Sequence, residues 1–107
     1  MDAWIDLVAG GTCVGCDRPG RVLCHGCRAA LPTRAVPAWP TPTPPGLVPP
    51  YAAGPYDGTL RQLVIGLKER RLLGLAGPLA ELLAVAVAAA VDATALAGPV
   101  LLVPVPS

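Results

Sequence analysis

No phenylalanine occurs in these 107 residues, and two tryptophans and two tyrosines are the whole aromatic complement. A large aromatic core is therefore excluded, and so is a run of rings on which nucleic-acid bases would stack. Charge is scarce as well. Only 14% of residues are charged and the formal net charge is +1, so no strong pull toward nucleic acid or a membrane surface is built in. No basic stripe is visible, no glycine-rich phosphate loop and no pair of neighbouring carboxylates. The first residues, MDAWIDLVAGG, lack the basic start and unbroken apolar run of a secretory signal, because Asp2 and Asp6 interrupt them. A cytoplasmic location is expected, where paired cysteines serve metal binding or redox chemistry more than disulfides.

What the chain does have is 53% apolar residues, much of that alanine, together with fourteen prolines and twelve glycines. Alanine buries little area, so an aliphatic and thin core is expected. Length allows one small domain or a part of a larger one.

All four cysteines fall in Thr12 to Cys27, TCVGCDRPGRVLCHGC, as two Cys-x-x-Cys pairs separated by seven residues. Each pair can place two sulfurs on one ion, and two such knuckles complete a tetrahedral Zn²⁺ site. Pro19-Gly20 in the spacer signals the turn that brings one knuckle back to the other. Cys13, Cys16, Cys24 and Cys27 are thus the expected metal ligands, and four thiolates leave no open position, which makes the zinc structural. A redox pair normally stands alone at a helix start after a strand. The spacing also matches neither common ferredoxin pattern. Arg18, Arg21 and Arg28 are candidates to offset the formal charge of the thiolate centre, or ordinary surface cations. His25, inside the second knuckle, is expected to be solvated rather than a ligand. Trp4 and Trp39 are expected to cover the small module.

Trp4, Ile5, Leu7 and Val8 suggest a short apolar helical face, and Ala29 to Arg34 a last helical turn ended by Pro32. From Val36 to Pro50 seven of fifteen residues are proline, which excludes helix and interior strand and reads as a semi-rigid linker. Asp57 is the expected N-cap of a helix whose apolar face is Leu60, Leu63, Val64 and Leu67, at i, i+3, i+4 and i+7. Arg61 reads as a surface cation. Lys68 and the basic residues after it suit a helix C-terminus. After Gly77-Pro78, Leu79 to Val91 is expected to form an Ala-rich helix. Leu72 to Val91 has roughly the length of a membrane span, but Glu81 and Pro78 interrupt it and no membrane span is expected. VLLVPVP, Val100 to Pro106, reads as a strand buried on both faces of a parallel sheet.

Taken in order, the double Cys-x-x-Cys, YDGTLRQLVIGLKERR and the terminal VLLVPVPS resemble the N-terminal half of ComF-family proteins, a phosphoribosyltransferase-like group linked to competence and DNA uptake. The resemblance runs from about Cys13 to Ser107. It implies an α/β fragment: a zinc-ribbon or knuckle module over residues 1–34, a Pro-rich linker over 35–50, and an incomplete phosphoribosyltransferase-like domain over 51–107, made of the first helices and the first core strand. Val103 to Ser107 would lead toward the loop that meets pyrophosphate, and Lys68 could reach an anion. The Arg-Gly-Phe-Asn-Gln-like stretch that follows this strand in that family, and the later acidic loop that holds phosphoribosyl pyrophosphate there, are not in this sequence. No catalytic residue and no small-molecule cofactor-binding residue is therefore assigned, and the chain is expected to be inactive alone. DNA-uptake machinery or single-stranded DNA are the partners implied for full-length relatives. The rival reading is a stand-alone zinc-binding module that docks to protein or single-stranded DNA.

Overall fold

A computed structural model describes residues 11–95 and 97–106 of the chain. The apolar face suggested at Trp4 to Val8 lies outside the described residues. The architecture is small and mixed, with three helices and one two-stranded sheet among the described residues.

The cysteine segment comes first. Cys13 N–H donates to the Arg18 carbonyl at 2.8 Å and Val14 N–H to the Val22 carbonyl at 2.8 Å, which folds the spacer back on the first knuckle. Pro19-Gly20 makes the expected turn, and Gly20 adopts φ 110, open to glycine without steric cost. Helix α1, His25–Ala29, follows inside the second knuckle. This corrects the helical turn expected over Ala29 to Arg34. The helix starts earlier because the Cys24 sulfur accepts the Cys27 N–H and acts as its N-cap, a role usually taken by oxygen.

Strands β1 (Val36–Pro37) and β2 (Tyr51–Ala52) pair antiparallel, with Val36 opposite Ala52 and Pro37 opposite Tyr51. Ala38 N–H also donates to the Pro50 carbonyl at 2.8 Å, so the two ends of the Pro-rich stretch meet. Trp39, expected to cover the cysteines, is 47% exposed in that stretch.

Helix α2, Gly58–Arg70, buries Leu63 and Gly66, with Leu60, Val64 and Leu67 half-buried beside them. The apolar spacing is thus the packed face. Asp57 holds the N-cap position in an extended conformation, but its carboxylate makes no capping hydrogen bond. At the other end Arg71 turns left-handed (φ 53), and the N–H groups of Arg71 and Leu72 both return to the Gly66 carbonyl. A 3-10 turn, Leu73–Leu75, leads into helix α3, Ala76–Thr94, longer at both ends than the alanine run alone suggested. Pro78, Leu82 and Ala86, one turn apart, are its buried face.

One hydrophobic cluster joins these parts. Cys13, Val22, Leu23 and Cys24 pack with Leu63, Leu72, Leu75 and Leu82. Leu73–Thr94 is long and apolar enough to cross a membrane by length and composition, with mean hydropathy 1.9, and its Leu75 and Leu82 side chains belong to this cluster.

The stretch Val100 to Pro106 is not the buried strand expected from its composition. It forms no ladder, and Leu101 is 86% and Val103 74% exposed. A strand needs a partner edge, and the described residues offer only the two-residue pair β1–β2. Pro104 and Pro106 also remove donors from the run. Val100 and Leu102 instead line a shallow apolar depression with Val48, Val87 and Val91.

Candidate metal centre

The four cysteines named from spacing converge. The Sγ atoms of Cys13, Cys16, Cys24 and Cys27 all lie within 4.8 Å of one another. No disulfide joins them. Cys16 Sγ and Cys24 Sγ are 3.6 Å apart. Four sulfurs at about 2.3 Å from a central Zn²⁺ would be about 3.8 Å from one another. A disulfide would hold two sulfurs at about 2.05 Å. The cluster therefore has tetrahedral-site dimensions, not those of a cystine pair.

The backbone is arranged to stabilise negative sulfur. Gly15 N–H and Cys24 N–H both donate to Cys13 Sγ, and Cys27 N–H donates to Cys24 Sγ, each at 3.4 Å. Burial pushes the Cys13 thiol up, but the amides of Cys24, Cys16 and Gly15 outweigh it and bring its pKa down to about 6. The Cys27 amide is the main cause that lowers Cys24. Cys27 itself is pushed up to about 12, because it shares hydrogen bonds with the Cys24 and Cys13 sulfurs. So many sulfurs cannot all be anionic side by side without a cation among them. A soft divalent metal ion fits this donor set.

Gly15 was not singled out from the sequence, although it lies between the first two cysteines. A Cβ there would sit 2.9 Å from Cys27 Sγ and 3.1 Å from Thr59 Oγ1. The second knuckle and the start of α2 both press on this bare backbone. The glycine inside Cys-Val-Gly-Cys was the only signal that could have marked it.

Of the other residues named from the sequence, Arg28 turns to helix α3, where it pairs with Glu81 at 2.7 Å. Arg18, Arg21 and His25 line an open depression beside Cys24, and His25 is exposed at the first residue of α1. His25 does not share the four-sulfur cluster. Lys68 is exposed in the last turn of α2, and the Arg61 guanidinium lies 5.9 Å from the Tyr56 ring centre. No family model, curated protein or solved structure matches the chain.

Proposed function

We propose that Cys13, Cys16, Cys24 and Cys27 hold one structural zinc ion, and that the chain is the zinc-bearing portion of a ComF-type phosphoribosyltransferase-like protein. The observation that carries the zinc is the convergence of four sulfurs, already served by backbone N–H donors, at the spacing of a tetrathiolate site. Zinc would supply the charge that lets all four thiolates coexist. Its work is structural. Cys13 and Cys24 belong to the same hydrophobic cluster as Leu63 and Leu75, so metal binding and helix packing stabilise each other.

The ComF reading rests on the order of three sequence segments. Its competence and phosphoribosyl-transfer implications belong to the whole protein type, because these residues carry no glycine-rich phosphate loop and no acidic pair. A second reading, a zinc-stabilised module that docks to another protein, is favoured by the exposed side chains of Leu73 and Leu83, 65% and 63% exposed.

Two measurements test this. Metal analysis of the purified chain should give one zinc per molecule, and Co²⁺ substitution should give the absorption of a tetrathiolate ion. Absence of bound metal, or fewer than four thiolates on it, sinks the zinc assignment. Native mass of the protein in its own cells addresses the second half. A mass of 10.8 kDa plus zinc favours the docking module. A mass roughly twice as large, that of a complete domain with its appendage, favours the phosphoribosyltransferase type.

A further inference from the structure

The four sulfurs are not equally reachable. Cys16 is exposed, Cys27 is half-buried, Cys24 is 9% exposed and Cys13 is completely buried. The exposed sulfur also has a neighbour outside its own knuckle. Cys16 Sγ lies 3.6 Å from Cys24 Sγ, across the gap between the two Cys-x-x-Cys turns. Its partner in sequence, Cys13, is held at the centre of the cluster by the Gly15 and Cys24 amides.

The geometry points to a modification site for two-electron oxidants such as hydrogen peroxide: Cys16 is oxidised first, and Cys24 then closes a disulfide across the two knuckles. In the first step the Cys16 thiolate attacks one peroxide oxygen. The S–O bond forms, the O–O bond breaks, and hydroxide leaves, so Cys16 becomes a sulfenic acid. In the second step the Cys24 thiolate attacks that sulfur. The S–S bond forms, the S–O bond breaks, and a second hydroxide leaves. Two thiolates have lost two electrons in total, and the peroxide has gained them. The sulfurs must approach by about 1.5 Å to reach disulfide length, a shift that the solvent-facing Cys16 side chain can make. Cys13 is the poorer partner, because it is completely buried and would leave two amide donors, Gly15 and Cys24, where Cys24 leaves one.

The consequence rests on the zinc reading. A Cys16–Cys24 disulfide removes two of four thiolates, and the two that remain do not complete a tetrahedral site. Metal release follows, and a thiol reductant reverses it.

The sequence supplies a convenient readout. Trypsin cuts after Arg21, between the knuckles, but not after Arg18, which precedes Pro19. The zinc-loaded full chain is treated with one equivalent of hydrogen peroxide, free thiols are alkylated, and the unreduced protein is digested. The expected product is Met1–Arg21 joined to Val22–Arg28, with fragmentation placing the bond at Cys16–Cys24 and alkyl groups on Cys13 and Cys27. It should accumulate one-for-one with zinc captured by a colorimetric chelator. Separate peptides carrying Cys13–Cys16 or Cys24–Cys27 bonds overturn the inference, as does a cross-link through Cys13 or Cys27. If the isolated chain holds no zinc yet gives the Cys16–Cys24 product, the metal reading fails and the modification site stands. If it holds one zinc and oxidises within the knuckles, the reverse is true.

Discussion

Gly66 is the residue on which packing and helix propensity disagree most sharply. It lies inside α2, where glycine costs about 1 kcal/mol relative to alanine. Gly66→Ala should by that measure stabilise the chain. The surroundings say otherwise. A Cβ at this position would lie 2.6 Å from Leu75 Cδ1, 3.4 Å from Leu72 Cδ1 and 3.5 Å from Val14 Cγ1. Leu75 is 0% exposed and Leu72 7%, so the methyl groups have no solvent to swing into. Forcing an extra carbon into such a core costs about 1–3 kcal/mol. The two contributions together predict a loss of about 1 kcal/mol. Urea unfolding of the zinc-saturated chain, followed by circular dichroism, should show a lower midpoint with an unchanged slope. In a Leu75→Val background the obstructing Cδ1 is gone, and there Gly66→Ala should turn stabilising, by up to about 1 kcal/mol. A variant that is more stable than the parent when Leu75 is intact would refute the reasoning, since it would mean that the core yields at no cost.

Leu63→Ala removes a completely buried side chain and should cost about 2–5 kcal/mol in the same assay, with weaker zinc retention because the cluster is shared with Cys13. Gly15→Ala should weaken zinc binding by roughly tenfold to a hundredfold, measured by competition with a chromophoric chelator, since its Cβ presses on Cys27 Sγ at 2.9 Å. Glu81→Ala breaks the one ion pair between the cysteine module and α3 among the described residues, yet should shift stability by less than about 0.5 kcal/mol, because both partners are solvent-exposed (40% and 69%). Arg71→Gly should raise the unfolding free energy by up to about 1 kcal/mol, seen as a higher urea midpoint, as glycine takes the left-handed C-cap that arginine adopts under strain at φ 53.

What could be read in the sequence was local. Cysteine spacing located the four-sulfur cluster because two short turns fix where their sulfurs point. The face of α2 was legible because Leu60, Leu63, Val64 and Leu67 repeat at helical period. Helix α3 was legible in its middle and not at its ends, since the chain enters it through a 3-10 turn, Leu73–Leu75, that no single residue announces. Helix α1 was misplaced because its cap is a sulfur, and thiols are not among the residues that mark helix starts. The strand expected over Val100 to Pro106 failed for a different reason: apolarity makes a strand only where another edge receives it. A short strand from Tyr51 is readable in the sequence, but its partner Val36–Pro37 was hidden by proline, which argues against interior strands but not against a two-residue edge. Nothing in the sequence showed that Val14 and Leu75 flank the same backbone at Gly66.

The clasp formed by β1 and β2 has a practical corollary. Because Val36–Pro37 and Tyr51–Ala52 hold the two ends of the proline-rich stretch together, whatever lies between them is an exposed excursion rather than a spacer. Loop-closure entropy grows only logarithmically, so doubling such a loop costs about 0.6 kcal/mol. The Thr41 to Thr43 region is therefore a natural place to graft a fluorescent reporter or an affinity epitope with closely spaced ends, leaving the cysteine cluster and the helices that share its core undisturbed.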